Sequence, residues 1–381
     1  MKILFITHHY LSSNGGGSFA SRAYINAFAK IADEMTLLYP AKDGENLFPE
    51  INKSIKTLAV EYNIPKWRKL FHLLIGKIHR YFGIVEKVMK NEKYDIVVFD
   101  TSLVSYRLIK KVKLYGAKTI VIHHNYQYEY FKDNAKGILA KPTLFWCKKY
   151  EKQAVRFADL NFTLTRQDIT LLSNNYCKGC QKKFSLLGTF EFTSSEKKTF
   201  QSTSKKGERF VITGNLEVFQ TMQPLHNWLI LYYPILKEIF PNATLTIAGK
   251  NPNSILKKLC EERNITLISS PISMDPIMEN ADYYICPTNI GGGLKLRIMD
   301  GLKFGLPVVS HSVSARGYDL FQEHGCLFSY ENTIDFREAL LNLKHSCFSK
   351  DFVYSFYKNL FSFEAGVERI KKAVRFLCNQ G

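Results

Sequence analysis

The sequence predicts an α/β protein of two successive Rossmann-like domains, and three observations carry that prediction. Short β-branched runs alternate with helix-length segments, one polar stretch interrupts the alternation, and glycine clusters follow several strands. The length, 381 residues, exceeds what one hydrophobic core usually spans.

In the first half, strands are expected at 2–7 (KILFIT), 35–39 (MTLLY), 95–100 (DIVVFD), 118–123 (KTIVIH) and 160–164 (LNFTL). Helical patterns lie between them, as at 19–31 and 103–112. Runs that are apolar throughout suit strands covered on both faces, which means a parallel sheet with helices on either side. Residues 192–208, FTSSEKKTFQSTSKKGE, have almost nothing to bury and read as a linker. Strands resume at 209–214, 243–249, 265–269, 282–286 and 307–310. The two domains are therefore expected over 1–191 and 209–360. The closing segment, 361–381, reads as a charged amphipathic helix able to pack back on the first domain.

Composition narrows the function. The chain is 46% apolar and carries a net charge of +18, from 52 Lys and Arg against 34 Asp and Glu. That excess favours an anionic partner: nucleic acid, a phosphorylated ligand or an acidic membrane face. A lysine-rich solvated surface explains it equally well. The eight cysteines follow no framework spacing. The one CKGC, Cys177 and Cys180, lacks a second Cys or His pair for zinc, so a polar turn is expected there. The opening MKILFITHHY is too short for a secretion signal, and no run of ~18 apolar residues is available to span a bilayer. The reading is a reduced, cytoplasmic protein.

The stretch NIGGGLKLRIMDGLKFGLPVVSH, 289–311, puts three glycines directly before a helical pattern. A helix start presents unpaired N–H groups and about half a positive charge, and glycine lets a phosphate come close to them. Lys295 and Arg297 add cationic charge, and Asp300, further along, suits ribose hydroxyls. The plainer alternative is a tight turn in which Arg297 and Asp300 pair at i, i+3. A second cluster, SSNGGGSFASRAYINAF, follows the first strand, but Ala20 stands where a dinucleotide fingerprint needs glycine. No acidic residue ends the second strand either, which argues against a nicotinamide dehydrogenase. In VIHHNYQYEYF, His123, His124, Asn125 and Glu129 offer donors and a base at a strand end. One histidine packed on the sheet and one solvated is the alternative.

Together these residues resemble the GT-B superfamily of nucleotide-sugar glycosyltransferases, in its bacterial, family-4-like retaining branch. The resemblance is strongest over 214–319. It implies two Rossmann-like domains facing one another across a donor-binding cleft, with the acceptor approaching from the first. GGGLKLRIMDGLKFGLPVV is similar to the donor loop and helix. Gly292, Gly293, Leu294 and Lys295 would then meet the diphosphate and sugar, Arg297 would add charge, and Asp300 would hold the ribose. ITGN (Gly214, Asn215) resembles the element beside the phosphates, and IAGKNP (Gly249, Lys250) the loop flanking the base. NGGG (Gly16, Gly17) resembles a loop closing over the donor. His124 matches the histidine near the reacting centre, and Asn125 and Glu129 would lie on the acceptor side.

The sequence departs from the pattern at three points. Many relatives carry Glu, seven residues, then Glu; here Gly292 replaces the first and Asp300 shortens the second. The basic pair that often follows the GN element is missing from GNLEVFQTMQPLHNW, which leaves Lys250, Lys295 or Arg297 to neutralise the diphosphate. The resemblance implies retention at the anomeric carbon, no metal and no cofactor beyond the donor substrate.

The stretch 64–93 holds eight Lys or Arg and two Glu beside a stripe from Trp67 to Val88. It fits either a helix on an anionic membrane surface or an ordinary core-facing helix. The first reading implies peripheral contact with the inner face of the plasma membrane and a lipid-linked acceptor. The expected activity is transfer of a sugar to a glycan or lipid-linked acceptor in cell-surface polysaccharide synthesis. Alternatives are a nucleotide-sugar epimerase of the same fold and a basic nucleic-acid-binding protein. No nucleic-acid module is recognisable.

Overall fold

The structure is a computed structural model. It describes all residues except 14, 42–50, 53, 62–66, 68–70, 72–80, 135–136, 138–139, 195–199, 201–206, 291–293, 347–348 and 380–381. The chain divides into two compact units: Met1–Ser195 with Ser362–Gly381, and Glu196–Phe361. Most of the expected linker lies outside the described residues.

The first unit runs β1 (Lys2–Thr7), α1 (Gly16–Ile31), β2 (Glu34–Ala41), β3 (Lys56–Glu61), α2 (Phe82–Asn91), β4 (Ile96–Asp100) and α3 (Tyr106–Leu114). It continues with β5 (Lys118–His123), α4 (Gln127–Asn134), α5 (Ala140–Phe157), β6 (Leu160–Thr163), α6 (Arg166–Tyr176) and β7 (Phe184–Leu186). The second unit runs β8 (Arg209–Asn215), α7 (Phe219–Leu231), α8 (Tyr233–Ile239), β9 (Thr244–Lys250), α9 (Ser254–Glu262), β10 (Thr266–Ser269) and α10 (Asp275–Glu279). Then follow β11 (Tyr283–Cys286), α11 (Leu296–Lys303), β12 (Val308–His311), α12 (Ser312–Ala315), α13 (Asp319–Glu323), β13 (Leu327–Tyr330), α14 (Thr333–His345) and α15 (Lys350–Phe361). Helix α16 (Phe363–Asn379) belongs to the first unit.

Both sheets are parallel throughout, with orders β3-β2-β1-β4-β5-β6-β7 and β10-β9-β8-β11-β12-β13. Each order reverses direction once, between β1 and β4 and between β8 and β11. Loops at the carboxyl ends diverge at such a point and leave a crevice where α/β sheets bind ligands. Apolar layers cover both faces of the first sheet. One contains Phe5, Phe28, Ile122 and Phe162, the other Val97, Phe99, Val121 and Leu108.

Ten strands fall where the sequence predicts them, within two residues at their ends. The three it misses, β3, β7 and β13, all lie at sheet edges. An edge strand needs no continuous apolar run, so KTLAVE and FSL carry little signal.

The structure bears on two further readings. Tyr81, Val85 and Met89, on or just before α2, are buried in the first unit's core, so the described end of 64–93 faces inward. The positions Lys69, Lys77 and Arg80 lie outside the described residues, while Trp67 and Phe71 are exposed. The turn expected at Cys177 and Cys180 forms, and the two cysteines are paired across it as a disulfide. Gly179 adopts a left-handed φ of 89°, and the resulting tight turn brings the two Cα atoms to 5.5 Å.

Helix α16 buries Ile370, Val374 and Leu377 against α1 and the first sheet. The contact needs Gly366, because a Cβ there would lie 2.3 Å from the ring of the buried Phe190. Overpacking of this kind costs about 1–3 kcal/mol. Gly366→Ala should lower the urea midpoint accordingly, with the slope unchanged; an unaltered midpoint would show that Phe190 moves freely.

Candidate functional site

In the first unit, the strand ends at the reversal point meet around Asp100, which closes β4 and is wholly buried. Its Oδ2 accepts from the Thr7 hydroxyl (2.8 Å), at the end of β1, and from the Ser21 hydroxyl on α1. Its Oδ1 lies 2.6 Å from His124 Nε2, just past β5. Burial raises the Asp100 carboxyl. His124, His9 and the Ser21 hydroxyl outweigh that and hold it below its ordinary value. An ionised carboxylate only accepts, so Nε2 of His124 carries the proton. In a neutral His124, Nδ1 is then left as the acceptor.

The His9 ring centroid lies 4.8 Å from that of His124. Burial, with His124 adding to it, pushes the His9 imidazole down to about 4, so it is neutral at ordinary pH. Gly17 has a local reason to be glycine: a Cβ there would sit 2.6 Å from the His9 ring. Gly16 opens α1, whose N-cap, Gly15, makes no side-chain cap. Ligand atoms of His9, Asp100 and His124 lie within 4.8 Å of one another. Zinc bonds of ~2.1 Å would close that span only if the rings moved. As placed, the three form a hydrogen-bonded and ring-packed relay.

The loop after β5 is held from below by two buried carboxylates that the sequence did not single out. Glu151 of α5 accepts from the N–H groups of Gln127 (2.7 Å) and Tyr128 (3.2 Å) and from Tyr176 Oη (2.9 Å). Asp168 accepts from the Tyr126 N–H (3.2 Å). Asn125 Oδ1 is buried without a hydrogen-bond partner among the described residues. Glu129 is exposed in the first turn of α4. His123 is structural rather than catalytic: wholly buried, its ring nitrogens meet Ser102 Oγ (3.1 Å) and Asn161 Oδ1 (2.9 Å).

In the second unit, β8 and β9 run in register, Gly214 beside Gly249 and Asn215 beside Lys250. A Cβ on Gly249 would fall 1.9 Å from the Gly214 carbonyl oxygen, so only glycine permits this approach. Asn215 folds back to accept from the Glu217 N–H (3.2 Å), and both Asn215 and Lys250 are exposed. A Cβ on Gly214 would lie 2.9 Å from the Arg297 guanidinium. Arg297 Nη2 donates to Thr221 Oγ1 (2.6 Å), not to Asp300 as the plain-turn alternative requires.

Helix α11 starts after Lys295, its N-cap, with no side-chain capping bond. The Tyr318 hydroxyl donates to the Lys295 carbonyl (2.8 Å) and fixes the entry. Burial lowers the Lys295 ammonium pKa, and Arg297 and Arg316 lower it further. Arg297 and Arg316 thus act on Lys295 at a helix start without a side-chain cap. Arg316, in SARGYDL, carried no motif and was missed. Leu294 is half-buried; Gly292 and Gly293 lie outside the described residues. Asp300 is exposed, yet the protein around it displaces water and raises its carboxyl to about 6, against Lys303 and Arg297.

Glu151 supplies a pH test of the first unit. Burial raises it from 4.5 to about 7, so the folded protein holds that proton more tightly than the unfolded chain. Its stabilising contribution is present below about pH 4.5 and is lost as pH rises through about 7. Glu151→Gln should flatten the fall in melting temperature across that window. An equal slope in both proteins would place the titration elsewhere.

Residues 207–346 match the family model described as Glycosyl transferases group 1. An uncharacterised 44.6 kDa protein in the cps region of Klebsiella pneumoniae is 24% identical over 243 residues. That match covers 61% of this chain and 61% of the relative, so the chain spans about three-fifths of the curated relative's length. Among solved structures, the lipopolysaccharide outer core galactosyltransferase WaaB superposes with a TM-score of 0.64 at 14% identity, covering 98% of this chain and 99% of that one. Anabaena Alr3699/HepE in complex with UDP gives 0.63 at 13%, covering 98% and 100%. Sucrose-phosphate synthase from Thermosynechococcus elongatus gives 0.64 at 15% over the whole of both chains. The chain has the GT-B glycosyltransferase fold, and its second unit carries the match to glycosyl transferases group 1.

Proposed function

We propose that the protein transfers a sugar, with retention, from a nucleotide-diphosphate sugar to a glycan or lipid-linked acceptor in bacterial cell-surface polysaccharide synthesis. One observation carries the donor side: Arg297 and Arg316 act on Lys295 at the start of α11, which has no side-chain cap. Like charges brought together on a folded surface favour an anion, and a diphosphate beside helix N–H groups gains from both. The Klebsiella relative's place in a cps region supports the pathway. The HepE complexes with UDP and UDP-glucose support the donor class.

In this reading Lys295, Arg297 and Arg316 take up the charge that develops on the departing nucleoside diphosphate, which is electrostatic catalysis at the leaving group. They do the work of a metal, so chelators leave the activity intact. Asp300 holds the ribose, and Gly214, Asn215, Gly249 and Lys250 flank the phosphates and base. In the first unit, His124 presents Nδ1 to a sugar hydroxyl, and the Asp100 carboxylate on its Nε2 fixes the ring orientation. Asn125 and Glu129 serve the acceptor side.

Calorimetric titration with nucleoside diphosphates tests the donor half. A charge-assisted hydrogen bond is worth about 1.5–3 kcal/mol, so Lys295→Ala and Arg316→Ala should each weaken binding about 10- to 100-fold. Wild-type affinity in both variants would remove the donor assignment. Tight duplex DNA binding that survives raised salt would favour the nucleic-acid alternative. For the first unit, His124→Ala and Asp100→Asn should lower kcat at least 10-fold while donor affinity holds. Unchanged turnover in both would dismiss the relay.

A further inference from the structure

We infer that Glu151 is a positioning residue: its carboxylate, buried beneath the start of α4, holds the loop that carries His124 and Asn125 in place for transfer. Helix α4 begins at Gln127, and its first N–H groups have no partner within the helix. Tyr126, just before it, is not a residue type that caps. Glu151, on α5, supplies the acceptor from another helix. Its Oε1 accepts from the Gln127 N–H (2.7 Å), and its Oε2 from the Tyr128 N–H (3.2 Å) and the Tyr176 hydroxyl (2.9 Å). Tyr176 ends α6 and is braced in turn, since its carbonyl accepts from Arg156 Nε (2.8 Å) on α5. From His124 to Tyr128 the chain is anchored at one end by β5 and at the other by this carboxylate, with Asp168 on the Tyr126 N–H between them (3.2 Å).

The choice of a carboxylate points to turnover rather than stability. Glu151 is wholly buried, and none of its three hydrogen-bond partners is a cation. The groups that face it are the Cys147 thiol on its own helix, Asp168 and Tyr176 on α6, and Tyr126 before α4. Glu129 of α4 acts on Tyr126 and Asp168 beside it. Every one of these is neutral or acidic, so ionisation is costly, and burial pushes the Glu151 carboxyl up to about 7. A buried group that weakens the fold when it ionises fits a trade of stability for activity.

Ionisation is what fixes the loop. The carboxylate accepts all three hydrogen bonds and sets a negative charge against the start of α4, where the helix dipole is positive. The neutral acid must turn one oxygen into a donor, which gives up an accepted bond and that charge. Stability and turnover then respond to pH with opposite signs. The melting temperature falls as pH rises through about 7, and kcat rises over the same window. The part played in turnover rests on the sugar-transfer reading above; the hold on the loop does not.

Two measurements on the full chain test this, one of them without substrate. Hydrogen exchange of segment 124–131, corrected for intrinsic rates, should show the Gln127 and Tyr128 amides about 10-fold better protected at about pH 8 than at about pH 6. Glu151→Gln, which keeps the volume, should remove that difference. With a nucleotide-sugar donor, wild-type kcat should rise about 5-fold between the same pH values. Glu151→Gln should stay near the low value with the donor KM unchanged. Tyr176→Phe takes one donor from the carboxylate, so the midpoint of the kcat rise should move to higher pH. Unchanged protection in Glu151→Gln would overturn the hold on the loop. A kcat profile that Glu151→Gln and Tyr176→Phe both leave in place would overturn the positioning role. Exchange that follows Glu151 in a chain that transfers no sugar would instead dismiss the sugar-transfer reading and leave the hold on the loop standing.

Discussion

Arg297 and Arg316 both act on the Lys295 ammonium at a helix start that no side chain caps, and that field favours an anion. Lys295 loses proton affinity to burial and to Arg297 and Arg316, and it sits where α11 offers N–H groups without a side-chain cap. The rest of that unit serves this arrangement. Gly214 and Gly249 let β8 and β9 close together and leave room for the Arg297 guanidinium. Thr221 orients that guanidinium, and Tyr318 fixes the carbonyl at the helix entry. Parallel strands bring all these groups to carboxyl ends on either side of one reversal point.

The first unit applies the same geometry to an opposite charge. Asp100 is a wholly buried carboxylate kept ionised by hydroxyls and imidazoles rather than by a fixed cation. Its hydrogen bond to His124 sets the tautomer. Gly17 clears space for His9, while Glu151 and Asp168 hold the backbone just past His124. A side chain placed this way rests on strand ends and buried acceptors, not on its own loop.

Central strands were legible because burial on both faces forces runs such as DIVVFD and KTIVIH. Three of the four edge strands were not, because one side of each has no neighbour and composition relaxes there. Of the glycine clusters, 291–293 lies outside the described residues, and Gly17 answers to the His9 ring. His124 was readable from its position after a strand. Its partner was not: Asp100 ends a strand 24 residues earlier, and only the sheet order brings β4 beside β5. Arg316 and Glu151 were invisible for a related reason. Neither lies in a motif, and each gains its role from charges or amides brought close by folding.

The most direct measurement is a crystal structure with a nucleoside diphosphate bound. The account predicts the diphosphate at the start of α11, its oxygens within hydrogen-bonding reach of Lys295, Arg297 or Arg316 and of the first helix N–H groups. A diphosphate bound in the first unit instead, or an α11 start closed by the protein's own carbonyls with the nucleotide elsewhere, would contradict it.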